Sequence, residues 1–130
     1  MLSADDKAAI IDVTNLYHHV IDSNEVERLN EVFTEDAVLD LSAFGAGVWH
    51  GLPAIIERFR KPQAITHAST TALVCEDGNG VVTLLSKTVA VRNDGTTLAS
   101  IHNDRMQRTA EGWRSEYLLI TAPVPVSRQA

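Results

Sequence analysis

The feature that most restricts what this chain can fold into is its second half. There "ITHASTTALVCE", "GVVTLLSKTVAVR", "TTLASIHNDRMQR" and "GWRSEYLLITA" follow one another, separated by "DGNG", "NDG" and "AEG". Runs so rich in Val, Thr, Ile and Leu suit a pleated, half-buried surface, and the breaks offer Gly80, Gly95 and Gly112 for the positive φ of hairpin turns. Long strands joined this tightly pair as an antiparallel meander. The first half reads differently. Ser3 followed by Asp6 is a capping-box variant, and Ile10, Val13, Leu16, Tyr17 and Val20 then recur at helical spacing. A second helix, capped by Ser23 or Asn24, is predicted through Val26, Leu29, Val32 and Phe33. "AVLDL" is a short strand candidate, and "HGLPAIIERFRKP" predicts a short third helix with Pro53 early in it and Pro62 beyond it. Helices first and an antiparallel sheet afterwards make an α+β domain with three helices on one face. Right-handed twist stops long strands from lying flat, so the expected shape is a cone-shaped, curved antiparallel sheet wrapped around the N-terminal helix, with a pocket between them.

A chain of 130 residues with 45% hydrophobic and 22% charged side chains is expected to form one domain over 1–130, with its core at about 5–122 and a tail at 123–130. Its net charge of −6 is scattered, which argues against nucleic acid as a partner, and the small basic cluster in "ERFRKP" complements the end of a helix. The lone Cys75 rules out an internal disulfide and a Cys-based zinc site; in "ALVCED" it reads as a small buried hydrophobe. No apolar run reaches the ~18 residues of a membrane helix. With an acidic start and no apolar leader, the expectation is a soluble, cytoplasmic protein without a membrane partner. One face of the sheet would otherwise expose Val, Thr and Leu, so a homodimer or homotrimer is expected.

The chemistry centres on "YHHVID", residues 17 to 22. Tyr17 belongs to the apolar stripe, and Asp22 ends the helix, where its direction is set by the turn and not by the helical wheel. His18 and His19 are assigned to the outer side, and His50 to solvent or a subunit contact. Strand alternation puts Leu98, Ser100, His102, Asp104 and Met106 on one face, and His67, Ser69, Thr71, Leu73 and Cys75 on another.

The order of "YHHVID", "EVFTEDAVLD", "WHG", "THAS" and "EGWRSEY" resembles the nuclear transport factor 2-like superfamily, a cystatin-like α+β roll, over about residues 5 to 122. Within it the chain is similar to the SnoaL-like branch that holds scytalone dehydratase, bile-acid dehydratase and hexachlorocyclohexane dehydrochlorinase. The resemblance implies that Asp22 holds His67 as the proton-transfer group, that Tyr17 is a site tyrosine, and that Ser100 and His102 occupy site positions. Leu41 stands where scytalone dehydratase has a tyrosine, and Leu85 where its second histidine falls, which speaks against that substrate. The pocket aspartates of ketosteroid isomerases would fall near Leu41 and Ile101.

The candidate catalytic set is thus Asp22, His67, Tyr17 and His102, with Ser100, Leu41, Asp104 and Trp49 as candidate substrate contacts; Trp49, like Trp113, also suits a core. Imidazole has the pKa for proton abstraction, a carboxylate fixes its tautomer, and a phenol or His102 can serve the oxygen as donor or acid. This points to a lyase or isomerase of dehydratase type acting on a small hydrophobic oxygen-bearing molecule with no cofactor. No spacing of the HExxH kind supports a metal among His67, His102, Asp104 and Asp22. The alternative is a non-catalytic binding or assembly module of the same fold. An epoxide hydrolase would need an inward Asp-Arg-Asp set, which the sequence lacks.

Overall fold

The computed structural model describes residues 1–62 and 64–124. Most of the expected tail, 125–130, lies outside the described residues. The first helix, α1 (Ala4–Asp22), opens with the expected capping box: Ser3 Oγ accepts from the Asp6 amide at 3.0 Å and Asp6 accepts from the Ser3 amide at 3.1 Å. The predicted second helix is a 3-10 segment, Val26–Glu31, and Phe33 belongs instead to the strand that follows it. That strand, β1 (Phe33–Asp40), is longer than "AVLDL" suggested. Leu41 leads into a one-turn 3-10 segment, Ser42–Phe44, and a short strand, β2 (Val48–His50), which the sequence reading did not anticipate. Helix α2 (Leu52–Phe59) then carries Pro53 in its first turn, where a missing amide costs nothing.

The meander is as expected: β3 (Ala64–Glu76), β4 (Val82–Arg92), β5 (Thr97–Thr109) and β6 (Gly112–Thr121) pair antiparallel in sequence order. Gly80 and Gly95 take φ of 78° and 82° in the connecting turns. The strand order β2-β1-β6-β5-β4-β3 adds one parallel pairing, β1 with β6, so the curved, unclosed sheet is six-stranded. Three helices, counting the Val26–Glu31 segment, complete the α+β arrangement.

Carboxylates pin α1 near both ends. Near its start Asp6 accepts from the Trp113 indole at 3.2 Å and pairs with Arg108 at 3.0 Å; at its end Asp22 reaches β3. Between these anchors the sheet covers more than a narrow stripe of the helix. Ile10, Val13, Thr14, Tyr17, His18 and Ile21 are all buried, together with Val20. His18 is therefore not on the outer side, where the wheel placed it; His19 is. Ile10, Leu29, Phe33, Leu39, Ile55 and Leu84 form the fully enclosed centre of the core.

Strand β3 corrects another expectation. Its register against β4 slips between Thr70 and Leu73, and Thr71 takes φ 57°, a bulge that reverses the facing of everything after it. His67 and Ser69 share the inner face, but Ala72 and Val74 continue it while Thr71, Leu73 and Cys75 point outward. Cys75 is exposed, not a buried hydrophobe. Leu85 also faces outward, so it does not occupy a site position.

Candidate active site

A cavity of about 420 Å³ opens between α1, α2 and the concave face of the sheet. This is a size typical of small-molecule sites. Leu41, Phe44, Phe59, Leu98 and Ile120 supply apolar wall. Tyr17, His67, Ser100 and His102 bring the polar groups.

The decisive contact joins the last residue of α1 to the start of β3. Asp22 Oδ1 lies 2.6 Å from His67 Nδ1, and Asp22 Oδ2 accepts from the His67 backbone amide at 2.9 Å and from Thr66 Oγ1 at 3.3 Å. An ionised carboxylate can only accept, so Nδ1 carries the ring proton and Nε2 keeps its lone pair. Gripping ring and backbone together fixes both the tautomer and the orientation of the imidazole. The two side chains are 19% and 20% exposed, sheltered yet reachable.

Behind His67 stand two further imidazoles. The His18 ring centroid is 5.2 Å from that of His67 and 5.3 Å from that of His102. His18 Nδ1 donates to the Thr14 carbonyl at 2.8 Å, which leaves Nε2 as a buried acceptor with no partner among the described residues. Burial, with His102 and His67 nearby, pushes the His18 pKa down to about 3. His102 Nε2 is 3.2 Å from Ser100 Oγ, and burial, then proximity to His67, lowers its pKa to about 4. Near neutral pH His102 is an uncharged ring. Of the two roles expected for it, donor or acid, an uncharged ring suits the donor.

Tyr17 packs edge-on against Phe33 and Phe59, with centroids 5.8 and 5.7 Å away, and burial raises its pKa, so the phenol stays protonated. Leu41 and Ser100 line the cavity as expected. Asp104 and Trp49 do not. Asp104 is buried deeper on the β5 inner face, accepts from Ser115 Oγ at 2.6 Å, and is pushed up to about 7 by burial. The Trp49 indole donates to the Ala46 carbonyl at 3.0 Å and so braces the segment that carries Phe44 and Ala46 into the wall. The sequence reading missed His18, because Thr14 and His18 put polar groups in a stripe sought by its apolarity. It also missed Arg58 and Arg92, which line the cavity. Among the described residues no group of three His, Cys, Asp or Glu side chains could hold a metal ion. No helix of the described residues is long and apolar enough to cross a membrane.

A model of the SnoaL-like domain matches residues 3–118. The chain belongs to the SnoaL-like domain family. Solved structures agree. A protein of Novosphingobium aromaticivorans, named as a proposed aromatic ring hydroxylase, superposes with a TM-score of 0.79 at 26% identity, over 98% of this chain and 95% of that one. An NTF2-like protein with a cystatin-like fold from the same species gives 0.77 at 22% identity, over 91% and 82%. The hexachlorocyclohexane dehydrochlorinase LinA type 2 gives 0.72 at 16% identity, over 95% and 92%. At such identities the last two share the fold, and a shared fold does not carry a reaction with it. A comparison with curated proteins finds no match.

Proposed function

We propose that this SnoaL-like protein is a lyase or isomerase of dehydratase type that acts on a small, largely apolar, oxygen-bearing molecule by general acid–base chemistry from its own side chains. The observation that carries the reading is the Asp22–His67 pair at 2.6 Å, with the second ring nitrogen belonging to a cavity-lining residue. In an elimination, His67 Nε2 takes a proton from carbon while Asp22 steadies the imidazolium. The carbon–oxygen bond breaks, its electron pair leaves with oxygen, and the carbon–carbon double bond forms. Tyr17 and the neutral His102 donate hydrogen bonds to the departing oxygen, and the imidazolium returns its proton to it, releasing water and restoring the dyad. In an isomerisation the same proton returns to a different carbon.

The mainly apolar lining favours a second reading, a binding module with no turnover. The two readings part in deuterated water with aromatic β-hydroxy ketones as probes, followed by proton NMR for exchange at carbon and by absorbance for the conjugated product. The lyase reading expects exchange or dehydration that falls about 10²- to 10⁴-fold in His67→Gln. Probes that bind with no exchange or turnover favour the binding module.

Self-association belongs to the same proposal. Ile65, Leu73, Leu85 and Val89 are 59%, 56%, 39% and 49% exposed on the outer face of β3 and β4, a surface suited to a second copy. Sedimentation that returned only the 14.2 kDa monomer would remove this part.

A further inference from the structure

The cavity lining contains two cations and no carboxylate. Arg58, from the last turn of α2, and Arg92, at the end of β4, both line it. Arg114 donates to the Asn30 and Trp113 carbonyls at 3.2 and 2.9 Å, and four other arginines pair with carboxylates: Arg28 with Glu31 at 2.8 Å, Arg60 with Glu27 at 2.5 Å, Arg105 with Glu116 at 2.7 Å and Arg108 with Asp6 at 3.0 Å. Among the described residues, neither Arg58 nor Arg92 has such a partner within 4.0 Å. The Asp94 carboxylate, two residues beyond Arg92, accepts from the Thr96 amide and hydroxyl instead, at 2.9 and 2.6 Å. In a chain of net charge −6, what sets Arg58 and Arg92 apart is that both line one cavity whose lining holds no carboxylate.

Strand and helix geometry brings each of them to the cavity. Thr88, Ala90 and Arg92 alternate onto the inner face of β4, opposite Ser100 and Leu98 of β5, so Arg92 continues the cavity floor toward its mouth. Across β3, Ala90 is paired with His67 and Arg92 with Ala64. The Asn93 amide donates to the Pro62 carbonyl at 3.1 Å, which ties this end of β4 to the segment leaving α2. Arg58 approaches from that helix, its guanidinium 5.9 Å from the Phe59 ring that forms part of the wall. Three residues of strand separate Ala64 from His67, on the order of 10 Å at 3.3 Å per residue.

We propose that Arg58 and Arg92 clamp an anionic group of the ligand, a carboxylate, so that the substrate of this site is an apolar acid with its reacting carbon at His67 and its charge at the mouth. The planar fork of arginine matches a carboxylate, and the apolar wall between mouth and dyad suits a body about the size of two fused rings. The substrate class rests on the dyad being catalytic; the clamp itself does not.

Equilibrium binding separates the two. Naphthalene carboxylate is titrated against its neutral carboxamide, and the fused-ring phosphate serves as a third probe. The expected result is that the carboxylate binds about tenfold or more tightly than the amide at low salt. That preference should fall to about twofold or less in an Arg58→Gln/Arg92→Gln double variant that melts like the wild type. Arg60→Gln, which removes the same charge from the next turn of the same region but from a paired arginine, should leave it intact. A phosphate that binds better than the carboxylate overturns the assignment of the carboxylate. An amide that binds as tightly, an Arg60→Gln effect as large, or no binding of the carboxylate at millimolar concentration overturns the clamp. His67→Gln should keep the preference for the anion whatever it does to turnover, so loss of the lyase reading alone leaves this result standing.

Discussion

The His18 ring lies within contact distance of both His67 and His102, and their surroundings divide the three imidazoles into two kinds. His67 has a carboxylate on one nitrogen and is one of the residues that line the cavity. His18 and His102 are buried, 4% and 3% exposed, although His102 also borders the cavity, and each leaves one nitrogen without a partner among the described residues. Ser86 and Thr88, cross-strand from His102 and Ser100, add two more buried, unpartnered hydroxyls. Each such group costs about 1–3 kcal/mol of desolvation. The lesson is that residue type does not assign the chemistry: a paired carboxylate orients one ring beside the cavity, while burial lowers the pKa of its neighbours.

The largest effect that would break this contrast comes from exchanging treatments. Asp22→Asn should lower kcat by about 10²- to 10⁴-fold on any substrate the protein turns over, because the amide no longer fixes the tautomer of His67. His18→Leu, one ring away, should change kcat by no more than about tenfold. Steady-state kinetics on the two variants decides the matter: equal losses would mean that the histidines act as one unit and that the division is false.

Next in size is the response of stability to pH. A histidine whose folded pKa lies below its unfolded value is protonated more in the unfolded chain, so stability falls as pH drops from 6.5 toward the folded values of about 3 and 4. Asp104, raised from 3.8 to about 7, has the opposite sign, since the folded state holds the proton and gains stability as pH falls through 7. Between pH 6.5 and about 5.5, above the range in which the lowered carboxylates of Asp6, Glu31, Asp40 and Asp94 titrate, two histidines oppose one aspartate. The net expectation is a loss of stability on acidification, on the order of 1 kcal/mol per pH unit. His18→Leu should flatten that slope, and Asp104→Asn should steepen it. Urea unfolding at several pH values measures all three, and an unchanged slope in His18→Leu would show that ring not to be held neutral by the fold.

How far the sequence led can be judged residue by residue. The meander was legible because period-two patterning and glycine turns are local signals, as was the capping box at Ser3. The meeting of Asp22 with His67, 45 residues apart, came through the family resemblance; the helical wheel argued against it. What stayed hidden depends on neighbours far along the chain. His18 is buried because a curved sheet embraces a broad arc of α1, and nothing local to "YHHVID" encodes that width. Arg58 read as a cation at a helix end, which it is, but only the folding of β4 against β3 brings Arg92 to the same cavity. Phe33 passed for a helical residue since its apolar spacing fits either period over so short a stretch.

A smaller effect tests the bulge that separates the site end of β3 from its outward end. Thr71 is β-branched and sits at φ 57°, a conformation that costs an L-residue about 1–2 kcal/mol and that asparagine tolerates better. Thr71→Asn should stabilise the protein by about 1 kcal/mol without altering ligand binding. Thermal unfolding reads the change, and destabilisation would mean that the Thr71 side chain contributes more than its backbone costs.

The smallest effect checks the same reversal of facing. With the bulge, Cys75 points away from the core, on the side opposite Ala72 and Val74; without it, strict alternation from His67 would carry the thiol inward. Iodoacetamide should therefore label Cys75 in the native protein, diluted until it is monomeric, at a rate close to that of the urea-unfolded chain, and the labelled protein should keep its melting temperature and its ligand affinity. Protection that is lost only on unfolding would place the thiol inside. The inner face of β3 would then have to be redrawn from Thr71 onward, while the hold of Asp22 on His67, on the other side of the bulge, would be untouched.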